Sequence, residues 1–261
     1  MSRTPPRPPH QQVNRPLQGT DRNDEVSNMN RVVMPLADLQ KMLGWVFVSA
    51  STDKGSWSTM MRSVEFRLGG KHAPTWGKQW EHMQIDAEHK LSVACTDRYR
   101  MSWATSSLLE LPVGDPVKFT VDVPELKIVM KSWPKGTKTR PCTDAVRITY
   151  LSDLDCVEFA LLKENADDPY QTQSVETLTT LNFPKYDNLV PMPGEEGSNG
   201  TFNVNGKFMA EIMKAAHALD EKGSVRVATT GPMRAMAVAP QQDDDAPVRY
   251  AAMLMPVRVN R

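Results

Sequence analysis

The sequence predicts an α+β protein built from repeated strand–helix–three-strand units, with helices on one face of antiparallel sheets. Three observations carry that expectation. An extended apolar run meets Pro35 and turns into a helical pattern, and the same punctuation recurs at Pro124. A third helical pattern, from Met209 to Leu219, is followed by further short strand-like segments. Repetition at this length scale outranks local assignments in naming a fold.

Residues 1–29 are rich in Pro and Arg and almost devoid of apolar side chains, which predicts a disordered tail. The first unit, 30–113, opens with an apolar strand at 32–34. Its helix carries Leu36, Leu39, Leu43, Val46 and Phe47 at helical spacing. Strands are expected at 63–68, 83–86 and 91–105, separated by Gly69-Gly70 and a stretch around Trp76 and Trp80. The second unit, 114–195, begins with alternation at 117–123 and a helix bearing Leu126, Val129, Met130 and Trp133 on one face. Strands at 145–151, 156–162 and 174–181 follow, then a turn-rich segment, 183–191. The third unit, 199–261, opens with a strand at 201–205, where Asn203 or Asn205 can cap a helix that carries Ile212, Met213 and Ala216 and is closed by Gly223. Strands at 224–230, 234–239 and 250–259 complete it. The first two units together are expected to form one complete domain, 30–195.

One such unit has too little core to close alone, so neighbours are expected to pack side by side and pair edge strands. A closed ring removes the exposed edges.

Lys plus Arg and Asp plus Glu both number 31 in a chain of 261 residues, so any attraction for nucleic acid comes from uneven placement of charge. Basic charge concentrates without an intervening acid at Lys127, Lys131, Lys135, Lys138 and Arg140. The third helix adds Lys207 and Lys214, and the first adds Lys41. These side chains are the expected phosphate contacts.

Catalytic patterns are missing: the sequence holds no P-loop, GxGxxG, HExxH or GxSxG. His82, His89 and Cys95 lack a metal-ligand spacing. Asp97 lies beside Cys95, but a thiol in an apolar strand is normally inert. No enzyme, metal or cofactor is therefore expected. Cys95, Cys142 and Cys156 show no CxxC spacing and read as small buried hydrophobes in a reducing compartment. With no apolar run near ~18 residues and no signal-like segment, the chain is expected to be cytoplasmic and free of the membrane.

Three segments together resemble one family. Residues 94–101, Ala-Cys-Thr-Asp-Arg-Tyr-Arg-Met, are similar to the ATDGHRL-type strand turn of bacterial β sliding clamps, the processivity subunits of DNA polymerase III. Residues 183–191 resemble the family's FPDYxxxxP motif, and 250–259 its terminal YxxMPMRL, with a matching helix start at Phe202. The similarity spans about 31–259 and is to a shortened form, of host or phage origin. It implies the DNA-clamp fold and a ring around duplex DNA that holds it without reading sequence. Polymerase and clamp loader would dock through linear peptide motifs in a hydrophobic cleft. Carried over by motif, that cleft is lined by Thr96, Arg98, Tyr99, Arg100 and Met101, by Pro184 and Leu189, and by Met255, Pro256, Val257, Arg258 and Val259. Arg98 stands where the family has glycine, Tyr99 where it has histidine and Asn188 where it often has arginine, which bears on peptide specificity. Counting half-units, four chains of three restore the family's ring of twelve, a homotetramer. The competing reading is a clamp mimic that binds such peptides without encircling DNA.

Overall fold

A computed structural model describes residues 30–52, 58–69, 90–110, 113–137, 139–178, 183–184, 203–219, 224–229, 235–243 and 246–257. The expected tail, the strand at 83–86, Trp76, Trp80, Asn188 and Gly223 fall outside them.

The first unit contains β1 (Asn30–Pro35), α1 (Leu36–Val46), a short α2 (Ser58–Met61), β2 (Ser63–Leu68), β3 (Lys90–Thr96) and β4 (Arg100–Ser107). Extended backbone at Pro35 starts α1, and Asp38 in the first turn suits the positive end of the helix dipole. Leu36, Leu39, Met42, Leu43 and Val46, three or four apart, form its buried stripe. The stretch 91–105, expected as one strand, is two. Asp97, Arg98 and Tyr99 close a hairpin, with Arg98 in the left-handed region at φ 77.

The second unit contains β5 (Val117–Asp122), α3 (Val123–Ser132), β6 (Ala145–Leu151), β7 (Cys156–Leu162) and β8 (Pro169–Glu176). The last of these starts and stops earlier than the expected 174–181, because its first half is polar and runs along a sheet edge where an apolar pattern is not required. The third unit contains α4 (Gly206–Leu219), β9 (Val225–Thr229), β10 (Met236–Pro240) and β11 (Val248–Leu254). Two expectations are corrected here. Residues 203–205 form no strand, since no described strand pairs with them. The final strand ends at Leu254, ahead of Pro256, which has no N–H to continue a ladder.

The strands form a four-stranded sheet, β1-β6-β7-β8, and a seven-stranded one, β5-β2-β3-β4-β11-β10-β9. Units one and two exchange their leading strands: β1 lies on β6 with Met34 opposite Val146, and β5 lies on β2 with Val121 opposite Val64. The third unit joins the first through last strands, β4 and β11 running antiparallel with Trp103 opposite Ala251.

One apolar core lies between the helices and both sheets, containing Leu39, Phe66, Leu126, Ile148, Phe159 and Ile212. Each fully buried side chain of this size contributes about 1.5–3 kcal/mol by desolvation. A ring stack, Tyr150 on Phe119 (4.9 Å) and Phe119 on Phe66 (5.2 Å), ties the exchanged β5 into the centre of this core.

Trp45 straps the joint between the first and third units. Its indole N–H is 3.0 Å from the carbonyls of both Trp103 and Ala251, on opposite sides of the β4–β11 seam. The Tyr250 ring packs edge-on against it at 5.9 Å. Trp45→Phe keeps most of the apolar area but leaves two buried carbonyls without this donor. The expected cost is about 1–3 kcal/mol, read as a lower urea midpoint at unchanged slope.

Candidate functional site

The site is built on the β3–β4 hairpin. Asp97 Oδ1 accepts the N–H groups of Tyr99 (3.1 Å) and Arg100 (3.0 Å), and the Thr96 hydroxyl donates to the Arg100 carbonyl at 2.8 Å while accepting the Arg98 N–H at 3.2 Å. These bonds hold Arg98 in a backbone region that costs an L-residue roughly 1 kcal/mol and costs glycine nothing. Arg98→Gly is therefore expected to raise stability by about 1 kcal/mol, checked by thermal unfolding.

Arg100 is almost fully buried and fastens the hairpin to α4. Its Nε donates to Asp97 Oδ2 at 2.9 Å, its Nη1 pairs with Glu211, and its guanidinium lies 4.3 Å over the Phe208 ring. Asn205 Oδ1 caps α4 by accepting the N–H groups of Lys207 and Phe208, as one of the two expected caps. Tyr99, 63% exposed, stands beside Phe208 with ring centroids 6.2 Å apart.

Between the hairpin and α4 opens a cavity of about 390 Å³, whose lining includes Arg98, Tyr99, Arg100, Lys207 and Phe208. On another side of the hairpin runs the segment after β11. The Met255 N–H donates to the Tyr99 carbonyl at 2.8 Å, and the Val257 N–H donates to the Asn203 carbonyl at 2.7 Å. Met255 and Val257 are exposed and Pro256 is half-buried. Met101 and Met253, opposite one another in the β4–β11 ladder, are buried in a small apolar cluster with Trp103, Ala237 and Ala251, against which Phe183 packs. Pro184 follows it, half-buried. The structure thus brings Tyr99, Arg100, Met255 and Val257 to one seam, with Met101 buried nearby in the ladder. Leu189, Arg258 and Val259 lie outside the described residues.

The basic residues lie on the helices and just beyond. Lys41, Lys127, Lys131, Lys207 and Lys214 are exposed, and so are Lys135 and Arg140 in the loop after α3. Lys127 reaches across to the end of α1, its ammonium 5.2 Å from the Phe47 ring centroid. Lys138 lies outside the described residues.

Cys95 is fully buried. Desolvation first, and then the nearby Asp97 carboxylate, push its thiol up to about 12. It stays protonated through neutral pH, and thiolate is the reactive form. One of the three thiols is therefore expected to resist a disulfide reagent at pH 8 until the protein is unfolded. Among the described residues there is no group of three or more metal-capable side chains, and no helix long and apolar enough to cross a membrane.

No protein-family model and no curated protein sequence matches the chain. Solved structures do. The β subunit of DNA polymerase III from Thermotoga maritima superposes with a TM-score of 0.58 at 13% identity, over 88% of this chain and 66% of that one. The chain has the sliding-clamp fold. The polymerase sliding clamp of Pseudomonas aeruginosa gives 0.56 at 12% identity, covering 88% and 66%, and the β chain of Streptococcus pneumoniae 0.53 at 14%, covering 92% and 67%. The chain spans about two thirds of the length of these clamps.

The sequence did not single out Phe208, Trp45 or Glu211 as working parts of the site. Phe208 carried a signal, lying one turn before Ile212 on the buried side of α4. The Arg100–Glu211 pair, 111 residues apart in the chain, carried none.

Proposed function

We propose that this chain is a subunit of a DNA sliding clamp, a non-enzymatic ring that encircles duplex DNA and tethers replication proteins by short hydrophobic peptides. The observation that carries this reading is the β4–β11 joint, which fuses two units edge to edge into one sheet with helices on a common side. Units joined so propagate an arc, and the exposed lysines of the helix layer offer sequence-independent phosphate contacts. Edge β8 is the last strand of its unit, as β4 and β11 are of theirs, so a β8–β8 contact between chains repeats a joint the chain already makes. Four chains of three units close the ring.

Peptides from a polymerase or clamp loader would lie on the seam of Tyr99, Met255, Pro256 and Val257, above Met101; Pro184, Leu189, Arg258 and Val259 are assigned to the same cleft by the motif resemblance. Thr96 and Arg100 shape the wall by fixing the hairpin, and Arg98 borders the adjoining cavity. Methionine suits such a surface because its thioether adapts to different partners.

Native mass spectrometry tests the assembly: a four-chain species is expected, and a stable monomer at micromolar concentration contradicts the ring. Lys127→Glu with Lys131→Glu is expected to flatten the salt dependence of DNA association, the log–log slope falling by about 0.9 for each lost phosphate contact. An unchanged slope means that α3 does not face the DNA.

A further inference from the structure

The third unit leaves one strand edge without a neighbour among the described residues. In the first unit the strand that follows α1 and α2, β2, carries β5 along its outer edge; in the second, β6 carries β1. Strand β9 follows α4 in the same way, yet among the described residues it pairs only with β10 and ends the seven-stranded sheet. The three strands share a pattern: Ser63-Val64-Glu65-Phe66, Ala145-Val146-Arg147-Ile148 and Ser224-Val225-Arg226-Val227. Phe66 and Ile148 are fully buried, whereas Val227 is 48% exposed.

A backbone hydrogen bond that occurs three times marks the missing occupant. The Leu109 N–H donates to the Val33 carbonyl (2.9 Å), Leu178 to Thr120 (2.8 Å) and Val257 to Asn203 (2.7 Å). Each donor lies just past the last strand of its unit, and each acceptor lies three residues before the start of α1, α3 or α4. Asn203 therefore holds the position that Val33 holds in β1 and Thr120 in β5, from which a leading strand departs to pair with a different unit. Val33 pairs with Arg147 and Thr120 with Glu65. The counterpart of those two residues in β9 is Arg226.

We propose that the open edge of β9 is filled by the segment leading into α4 of a second copy of this chain, reciprocally about a twofold axis. Two third units then make one complete domain, with Asn203 of one chain opposite Arg226 of the other and Val204 opposite Val225. An open strand edge is a template for pairing, and an isologous joint satisfies both edges at once. The joint does not depend on DNA; its place in a ring rests on the clamp reading, in which β8–β8 and β9 joints alternate around four chains.

The test mixes a chain carrying Asn203→Cys with one carrying Arg226→Cys under mild oxidation. In the β1–β6 and β5–β2 ladders the equivalent residues face one another without mutual hydrogen bonds, a pairing that brings Cα atoms to about 4.5 Å, within disulfide reach. A disulfide-linked dimer in the mixture, above the level of either variant alone, is expected. Val227→Lys, at an exposed position, is expected to halve the native mass while the circular dichroism stays that of the folded chain. No additional crosslink in the mixture, or an unchanged mass for Val227→Lys, overturns the joint. A crosslink without retention on circular DNA sustains the joint and ends the ring; retention without the crosslink does the reverse.

Discussion

Truncation after Leu254 is expected to leave the protein folded and to abolish the capture of a short hydrophobic clamp-binding peptide. The last strand stops at Leu254, so the ladder with β4, from Val248 to Leu254, is untouched. Among the described residues, what the truncation removes from the fold is two backbone hydrogen bonds, Met255 to Tyr99 and Val257 to Asn203, a cost of about 1–3 kcal/mol. What it removes from the seam is Met255, Pro256 and Val257, an entire apolar wall. Loss of apolar anchors at the centre of an interface costs at least about 2 kcal/mol, a thirtyfold weaker Kd or worse. Fluorescence anisotropy with a labelled peptide and a urea melt separate the two effects. Normal peptide affinity in the truncated chain would move the pocket elsewhere.

Arg100→Ala is the most destabilising single substitution expected in the site, at about 3 kcal/mol. The guanidinium is 7% exposed and joins two acids on different units: Asp97, 9% exposed, and Glu211, 40% exposed. Removing it strands the Asp97 carboxylate in a buried place and takes the cation from the Phe208 face. Glu211→Gln leaves the Asp97 bond intact and removes only the more solvated partner, so about 1 kcal/mol is expected there. Arg100→Lys rescues part of the loss, because a single ammonium cannot serve both acids and stack on the ring. Urea melts of the three variants should rank Ala below Lys and Lys below Gln. An Ala variant as stable as the wild type would mean that the hairpin and α4 hold together without this latch.

How much of this was legible in the sequence follows from the range of the forces involved. The helices were legible because Leu36, Leu39, Leu43 and Val46, or Leu126 and Val129, repeat at the spacing that one buried face requires. The local pattern hid the hairpin at Asp97, marked as a turn only by the motif resemblance, because apolar residues run through 91–105 on both sides of it and its turn uses an arginine at positive φ where glycine is the usual signal. Strand β8 was misplaced because its polar first half lies on an edge. The motif segments named Tyr99 and Met255, each on a local stretch of chain, and the fold brings the two together. The latch to Glu211, the strap from Trp45 across the β4–β11 seam and the exchange of β1 and β5 depend on pairings between distant units, and no spacing within one unit encodes them.

In the proposed reading the chain holds DNA by surrounding it. Protein assembled on nicked circular duplex, passed through gel filtration in high salt and then treated with an enzyme that linearises the DNA, tests this directly. Retention on the circle and release upon linearisation are the expected result. Release from the circle in high salt, or equal retention on circular and linear DNA, would contradict it.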